Sequence, residues 1–166
     1  VIPYYHQFIK LFPTISDLAA ADEQDVLRAW QGLGYYSRGR NLRAAACKVV
    51  GELNRELPQT VEGLRALPGV GRYTAGAVAS IAFGVRAPIL DGNVARVLCR
   101  TDRIEPDPRE RDTQARLWSR AEEVLPRREV GDFNSAMMEL GGTVCTPRSP
   151  QGLLCPVRGQ CEGLAA

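Results

Sequence analysis

Apolar residues recur at helical spacing in successive segments of the chain, and sustained period-two alternation is absent. Spacings of three and four residues place apolar side chains on one face of a helix, whereas a half-buried strand would alternate. Glycine and proline separate the segments, as at Gly32, Gly34, Pro106 and Pro108. The chain is therefore predicted to be all-α, with helices over residues 22–31, 42–57, 73–83, 94–99, 113–125 and 133–144.

Short oxygen-bearing side chains mark three of the predicted helix starts. Asp22, Thr60 and Asp91 each stand just before a helical run, where their oxygens can accept hydrogen bonds from free backbone N–H groups. No repeat of fixed period and no low-complexity tract interrupts the chain. We expect one or two packed helical lobes.

Length and composition set limits on the class of protein. With 166 residues, 45% of them hydrophobic, the chain can bury an ordinary core. Its longest apolar stretches, such as residues 75–83, fall well short of the roughly 20 residues that a bilayer crossing needs, so we expect no membrane contact. The chain opens on Val1 without a signal-peptide pattern, and we predict that it is a piece of a longer protein.

The cysteines point to a metal or cluster site rather than to a disulfide framework. There are five cysteines, an odd number, and Cys145, Cys155 and Cys161 are gathered near the C-terminus. Cys47 and Cys99 stand among apolar residues, and we predict that they are small buried side chains.

Residues 60–83 are predicted to form a helix, a tight turn and a second helix. Glycines in the turn allow backbone to approach a ligand closely, and the N–H groups that open the second helix suit a phosphate. A plain helix connector is the alternative reading. The net charge of +2 is weak support for nucleic-acid binding, although Arg38, Arg40 and Arg43 lie close together. The turn consists of Leu67, Pro68, Gly69, Val70 and Gly71.

The run L-P-G-V-G-R-Y-T-A-G-A at residues 67–77 resembles the hairpin of the helix-hairpin-helix DNA glycosylase superfamily, which grips phosphates without reading sequence. The run L-D-G-N-V-A-R-V-L at residues 90–98 looks like the catalytic segment of its MutY-type adenine glycosylases. The resemblance extends from Val1 to about Cys161. It implies a helical glycosylase domain over residues 1–144, truncated at its N-terminus, and an iron–sulfur loop over residues 145–161.

The resemblance implies that Asp91 is the catalytic carboxylate, with Asn93 supporting it. Breaking an N-glycosidic bond builds positive charge on the sugar, which a carboxylate stabilises. Relatives that also cut the strand carry a lysine where this chain has Tyr73, and tyrosine forms no Schiff base. The resemblance therefore implies a glycosylase without lyase activity, with Tyr73 beside Asp91.

Further residues acquire DNA-binding roles through the same resemblance. Tyr35, in the segment G-L-G-Y-Y-S-R-G-R, matches a tyrosine that wedges into the duplex near oxidised guanine. Arg38 and Arg40 are predicted to bind DNA along with the hairpin. Ser135 falls where relatives carry glutamine or glutamate to reach the flipped adenine, and serine is shorter.

The family's [4Fe–4S] cluster needs four cysteines at C-x6-C-x2-C-x5-C spacing. Cys145, Cys155 and Cys161 match the first, third and fourth, whereas Gly152 holds the second place. The cluster would then take another ligand at one iron, drop to a three-iron form, or be absent.

Family members also place a general-acid glutamate shortly before the stretch that matches residues 1–5, and a C-terminal domain for oxidised guanine. Neither is present in this sequence, so we expect the chain alone to be a weak catalyst. His6 is interpreted as a surface residue, not as a replacement acid.

The expected substrate is double-stranded DNA with adenine opposite 8-oxoguanine or guanine, bound by a monomer. Details such as Y-Y-S-R-G-R are closer to animal members, which implies a nuclear and mitochondrial location. Two other functions stay open. One is a DNA-binding module that has lost its chemistry, and the other is a glycosylase/lyase of the endonuclease III type.

Overall fold

The structure, a computed structural model, describes residues 2–165. Within this range every regular element is a helix, which confirms the all-α prediction, and no helix is long and apolar enough to cross a membrane. The α-helices are α1 (Ile2–Leu11), α2 (Ile15–Ala20), α3 (Glu23–Ala29), α4 (Tyr36–Glu52), α5 (Val61–Arg65), α6 (Arg72–Phe83), α7 (Gly92–Thr101), α8 (Arg111–Glu123), α9 (Val130–Thr143) and α10 (Glu162–Ala165). Two 3-10 helices, Gly152–Leu154 and Arg158–Gln160, precede α10.

The first compact unit of the chain ends at Gly71. In it, α2 and α3 pack against the long helix α4, and α1 packs against α3. The helix starts are set locally, as predicted: Asp22 accepts from the Gln24 N–H at 2.7 Å, and Thr60 accepts from the Gly63 N–H at 3.1 Å. The core of this unit consists of Phe12, Leu18, Val26, Ala29 and Ala46.

The second compact unit begins at Arg72 and is organised around α7. This helix packs against α8, α9 and α10, while α6 packs against α9. The α6–α9 contact includes buried Asn134, whose amide donates to Ser80 Oγ at 2.9 Å and to the Ala87 carbonyl at 3.0 Å. The core consists of Ile89, Leu90, Val94, Ala95, Leu98, Ile104, Leu117 and Ala121.

The structure differs from the predicted elements mainly in the first unit. Helix α4 begins at Tyr36, six residues before the predicted start at 42, and ends at Glu52 instead of 57. Its first turns carry polar residues and therefore lack the apolar periodicity on which the prediction relied. Helices α1 and α2 were not predicted, and α1 buries none of its side chains.

The structure also gives the surroundings of the isolated cysteines, of His6 and of the C-terminal loop. Cys47 and Cys99 are half-buried rather than fully buried: the Cys47 thiol donates to the Ala19 carbonyl at 3.4 Å, and Cys99 packs against the core of the second unit. His6 is exposed, as predicted. Residues 145–161 belong to the second compact unit, and the predicted boundary at residue 144 stays a prediction.

Candidate functional site

Asp91 caps the N-terminus of α7 with one carboxylate oxygen and binds a neighbouring amide with the other. Oδ1 accepts from the Val94 N–H at 2.8 Å, and Oδ2 accepts from Asn93 Nδ2 at 3.1 Å. Leu90 and Val94, on either side in sequence, are buried, so the backbone around the carboxylate is anchored in the core. Asp91 itself is half-buried and borders an open cavity of about 500 Å³. The carboxylate is thus fixed in direction yet reachable.

Arg96 extends this network, and the sequence analysis missed it. Its Nη2 donates to Asn93 Oδ1 at 2.7 Å and to the Gly141 carbonyl at 2.6 Å, while Nε donates to the Cys145 carbonyl at 2.7 Å. Arg96 therefore holds the same Asn93 that contacts Asp91. A cation within an amphipathic helix was visible in the sequence, but its partners lie 45 and 49 residues away.

Helix α9 approaches this network unusually closely. A Cβ atom built on Gly141 would lie 2.6 Å from Asn93 Cβ and 2.8 Å from the Asn93 carbonyl oxygen. Any side chain at position 141 would therefore displace Asn93 or the helix. The small residue lets α9 support the segment that carries the carboxylate.

Tyr73 lies at the start of α6 with its side chain 37% exposed. Desolvation and the nearby negative charge of Asp91 both raise the pKa of the Tyr73 phenol above its usual value of 10.0. The hydroxyl contacts Met138 Sδ on α9 at 3.3 Å. The structure therefore brings Tyr73, Asp91 and Asn93 together in the second unit, and keeps Tyr73 as a neutral proton donor.

The predicted hairpin forms a tight turn after α5. Gly69 has a φ of +74°, and a Cβ atom there would collide with the Asn41 side chain on α4. Lys48, also on α4, donates to the Ala66 carbonyl at 3.0 Å, so the turn is held against α4 from two sides. Leu67 is buried and anchors the turn.

This turn has exposed backbone amides. Gly69 and Gly71 are both exposed, and within residues 2–165 neither N–H donates to a backbone carbonyl. Free N–H groups on a rigid turn are what a phosphate oxygen binds. Of the predicted contact residues, Pro68 and Val70 are half-buried.

Tyr35 and the arginines after it lie in the first unit, with different surroundings. The Tyr35 side chain is 81% exposed, and the Arg38 guanidinium lies 5.4 Å from its ring centroid. Arg40 instead pairs with Glu23 at 3.3 Å, and Arg43 donates to the Ala21 carbonyl at 2.7 Å. Arg43 therefore supports the fold, whereas Arg38 accompanies Tyr35.

Ser135 is exposed on α9, and its hydroxyl donates to the Gly131 carbonyl at 2.9 Å. This bond within the helix occupies the only proton of the side chain. The role predicted for Ser135 in base recognition stays a prediction.

The three C-terminal cysteines border one cavity of about 170 Å³. Arg100 organises it: Nη1 contacts Cys145 Sγ at 3.2 Å and donates to the Thr146 carbonyl at 2.8 Å. The Cys161 thiol donates to the Arg100 carbonyl at 3.5 Å. The loop is thus tied to α7 by protein contacts.

The second ligand position, at Gly152, does not suit a four-thiolate cluster. A Cβ atom built on Gly152 would lie 2.7 Å from Leu164 Cδ1, so a leucine methyl group stands where that side chain would go. Within residues 2–165, no three cysteine, histidine or acidic side chains are grouped closely enough to share a metal ion. The residues present do not fit a [4Fe–4S] cluster with four cysteine ligands.

Comparison with known proteins gives this arrangement a context. Residues 1–123 match the family described as HhH-GPD superfamily base excision DNA repair protein. The chain belongs to this superfamily. The match contains both the hairpin turn and the segment with Asp91, so the two features occur together in a DNA repair family.

Relatives of this superfamily member include adenine DNA glycosylases. The chain is 52% identical to the Homo sapiens protein over 163 residues, and 37% identical to the Arabidopsis thaliana protein over 184. These alignments cover 98% and 99% of this chain but only 30% and 29% of the relatives. The chain thus spans about a third of their length.

Solved structures of superfamily members share the fold. A thermostable thymine-DNA glycosylase matches with a TM-score of 0.87 at 25% identity, over 98% of this chain and 75% of that one. An endonuclease III–DNA covalent intermediate matches with a TM-score of 0.83 at 26% identity, with the same coverages. The helix-hairpin-helix glycosylase fold predicted from the sequence is confirmed.

Proposed function

We propose that this chain is the catalytic part of an adenine DNA glycosylase of base excision repair. The reaction is hydrolysis of the N-glycosidic bond of adenine opposite 8-oxoguanine or guanine. The observation that carries the proposal is the fixed, reachable Asp91 carboxylate beside a neutral Tyr73. The adenine glycosylases at 50–52% identity support adenine as the target.

Asp91 has the chemistry that the sugar requires. The bond between C1′ and N9 breaks with its electron pair moving to adenine, which takes up a proton as it leaves. Positive charge builds on the sugar and is stabilised by the Asp91 carboxylate until water adds to C1′ and loses a proton. Asn93 orients the carboxylate through Oδ2, and Arg96 orients Asn93, so the negative charge stays in one place throughout.

Tyr73 decides between hydrolysis and strand cleavage. A lyase needs an amine to form an imine with the sugar, and the phenol at position 73 supplies none. Its raised pKa keeps the hydroxyl protonated at neutral pH, so it can donate a hydrogen bond near Asp91 without adding negative charge. We therefore propose a glycosylase without lyase activity.

The proposed partner is double-stranded DNA, held at two places in the first unit. The free amides of Gly69 and Gly71 suit a backbone phosphate, and Tyr35 suits stacking between bases where adenine leaves the helix. Arg38 adds positive charge beside Tyr35, and Arg40, on the same helix, is partly neutralised by its pairing with Glu23. We further propose that the protein acts as a monomer, to be tested by sedimentation.

The deciding experiment is single-turnover adenine release from a duplex with adenine opposite 8-oxoguanine. The 166-residue chain is assayed beside the longest natural form of the protein, each as native and as Asp91→Asn. We expect release by the native long form, weak release by the short chain, and none by either Asp91→Asn variant.

Other outcomes would contradict the proposal in distinct ways. Duplex binding without any release would favour the DNA-binding module. A covalent DNA complex trapped by borohydride would favour the lyase.

For the cofactor, we propose that the loop of residues 145–161 holds less than a full four-iron cluster. The support is the absent fourth thiolate at Gly152 and the Leu164 methyl group beside it. Gly152→Cys combined with Leu164→Ala supplies the missing ligand. The control is Gly159→Cys, an open position in the same loop that does not match the family spacing.

Iron and sulfide are measured per chain after anaerobic reconstitution of all three proteins. We expect four iron and four sulfide ions per chain only in the double variant. A full complement in the native chain would contradict the proposal.

The location of the protein is proposed from similarity alone. At 52% identity to a Homo sapiens relative, the chain resembles animal members, and we propose a nuclear and mitochondrial location. Fractionation of source cells would test it.

A further inference from the structure

Tyr35 has a backbone conformation that its side chain does not favour. Its φ and ψ are 47° and 57°, in the left-handed region that bulky residues rarely adopt, and it immediately precedes α4. The ring is 81% exposed, so burial does not compensate for the conformation. Strain of this kind persists only where the surroundings enforce it, and it concentrates at functional sites.

Trp30 supplies one part of those surroundings. Its indole Nε1 donates to the Gly34 carbonyl at 3.1 Å, directly before Tyr35, and its own carbonyl accepts from the Leu33 N–H at 3.1 Å. The indole is fixed in turn by an edge-to-face contact with Phe8, with ring centroids 5.8 Å apart. The loop between Trp30 and Tyr35 is therefore held by Trp30 twice, through its main-chain carbonyl at Leu33 and through its half-buried indole at Gly34.

Helix α4 fits tightly against the same indole. A Cβ atom on Gly39 would lie 3.2 Å from Trp30 Cδ2, so α4 starts in direct contact with the ring. The first turn of α4 is closed by the Arg38 N–H, which donates to the Tyr35 carbonyl at 2.9 Å. The indole thus fixes both the loop before Tyr35 and the helix after it.

Arg38 links the two aromatic rings. Its guanidinium carbon lies 5.4 Å from the Tyr35 ring centroid and 6.0 Å from that of Trp30. Both distances are within the range of a cation–π contact. Arg40, two residues on, pairs with Glu23 instead, so the stacking is particular to Arg38 and not to basic residues of this helix.

We propose that Trp30 and Arg38 are positioning residues that hold the Tyr35 ring outward, ready to stack within the DNA duplex. The inference rests on the proposed function, in which Tyr35 enters the base stack. Trp30 sets the loop backbone through the Gly34 carbonyl, and Arg38 limits the swing of the ring. A ring fixed before binding loses less freedom on stacking, and this gain is realised only where the base stack opens for the ring, which costs least at a mispair.

The test measures preference for a mispair rather than affinity alone. Native protein is compared with Tyr35→Ala, Arg38→Gln, Arg40→Gln and Trp30→Phe, in the longest natural form. Two duplexes are used at one salt concentration, one with adenine opposite 8-oxoguanine and one with adenine opposite thymine. A 2-aminopurine next to the mispair reports stacking of the ring, and thermal unfolding confirms that each variant is folded.

Arg38→Gln and Arg40→Gln remove the same charge from the same helix. Both should weaken binding to both duplexes, since each loses a cation near DNA. Only Arg38→Gln should also lower mispair preference, by about two- to fivefold, with a matching fall in the fluorescence response. Trp30→Phe keeps a ring against Phe8 but loses the N–H, and should lower mispair preference without a general loss of affinity.

The outcomes separate this inference from the proposed function. Unchanged preference and fluorescence in Tyr35→Ala would overturn the role of Tyr35 itself. A clear loss in Tyr35→Ala, with Arg38→Gln indistinguishable from Arg40→Gln and Trp30→Phe equal to native, would overturn the positioning role alone.

Discussion

Asp91 and Tyr35, the proposed catalytic and stacking residues, present their side chains in opposite ways. The Asp91 carboxylate caps its own helix and binds Asn93, so the contacts that aim it also stabilise the fold. Tyr35 is exposed in a left-handed conformation, so its presentation works against stability. The comparison teaches that function and stability coincide in the Asp91 segment and are opposed in the loop before α4.

The largest expected effect comes from separating the two roles of Asp91. Asp91→Asn keeps an oxygen that can cap α7 but removes the negative charge and one acceptor for Asn93 Nδ2, so base release should fall by at least about a thousandfold, with a smaller loss of unfolding free energy than in Asp91→Ala. Asp91→Ala should lose the same activity and also about 1–2 kcal/mol of stability. Single-turnover release and chemical denaturation measure the two effects.

The close approach of α9 allows a test that replaces no side chain of the candidate site. Gly141→Ala should destabilise the protein by about 1–3 kcal/mol, because the added methyl group meets Asn93. Gly142→Ala is the control, since that position faces open space and alanine favours a helix by about 0.5–1 kcal/mol. Equal denaturation midpoints for the two variants would contradict the packing argument.

Tyr35→Asn tests the other half of the comparison. Asparagine tolerates the left-handed region, so the substitution should relieve about 1 kcal/mol of backbone strain. This gain should offset the lost contact with Arg38, which is worth about 0.5–1 kcal/mol. Unfolding free energy should therefore stay within about 0.5 kcal/mol of native, while the fluorescence response to a mispair disappears. A marked drop in stability would show that Tyr35 supports the fold after all.

Tyr73→Phe should have the smallest effect, a fall in base release of about two- to tenfold from the loss of one hydrogen-bond donor. The pKa of Tyr73 is raised, so the folded protein favours the protonated hydroxyl. The stability that this hydroxyl contributes is fully present below the usual pKa of 10.0, and it is lost as the pH rises through the raised pKa. The ratio of native to variant rates should therefore be constant between about pH 6 and about pH 9.

The sequence predicted the helix caps and the hairpin turn, because these features depend only on residues close together in the chain. The caps at Asp22, Thr60 and Asp91 need only a short polar side chain and a free N–H within three residues, and all three are present. The hairpin turn was predicted for the same reason, because the conformation of Gly69 is a local property.

Features that depend on distant partners escaped the sequence analysis. Arg96 reaches carbonyls from another part of the chain, and nothing near it in sequence marks them. Helix α1 was also missed, although its apolar residues have helical spacing; Phe8 is half-buried against the core, and the other residues of the helix are exposed. The strain at Tyr35 also went unforeseen, since a tyrosine before a helix gives no sign of a positive φ.

The hydrogen bond from the Val94 N–H to Asp91 Oδ1 has a consequence for experiments without DNA. The Val94 N–H exchanges with solvent only while this hydrogen bond is broken. Its hydrogen-exchange rate therefore follows how often that cap opens. One amide resonance thus reports, in the resting protein, the fraction of time that the proposed catalytic carboxylate is correctly aimed.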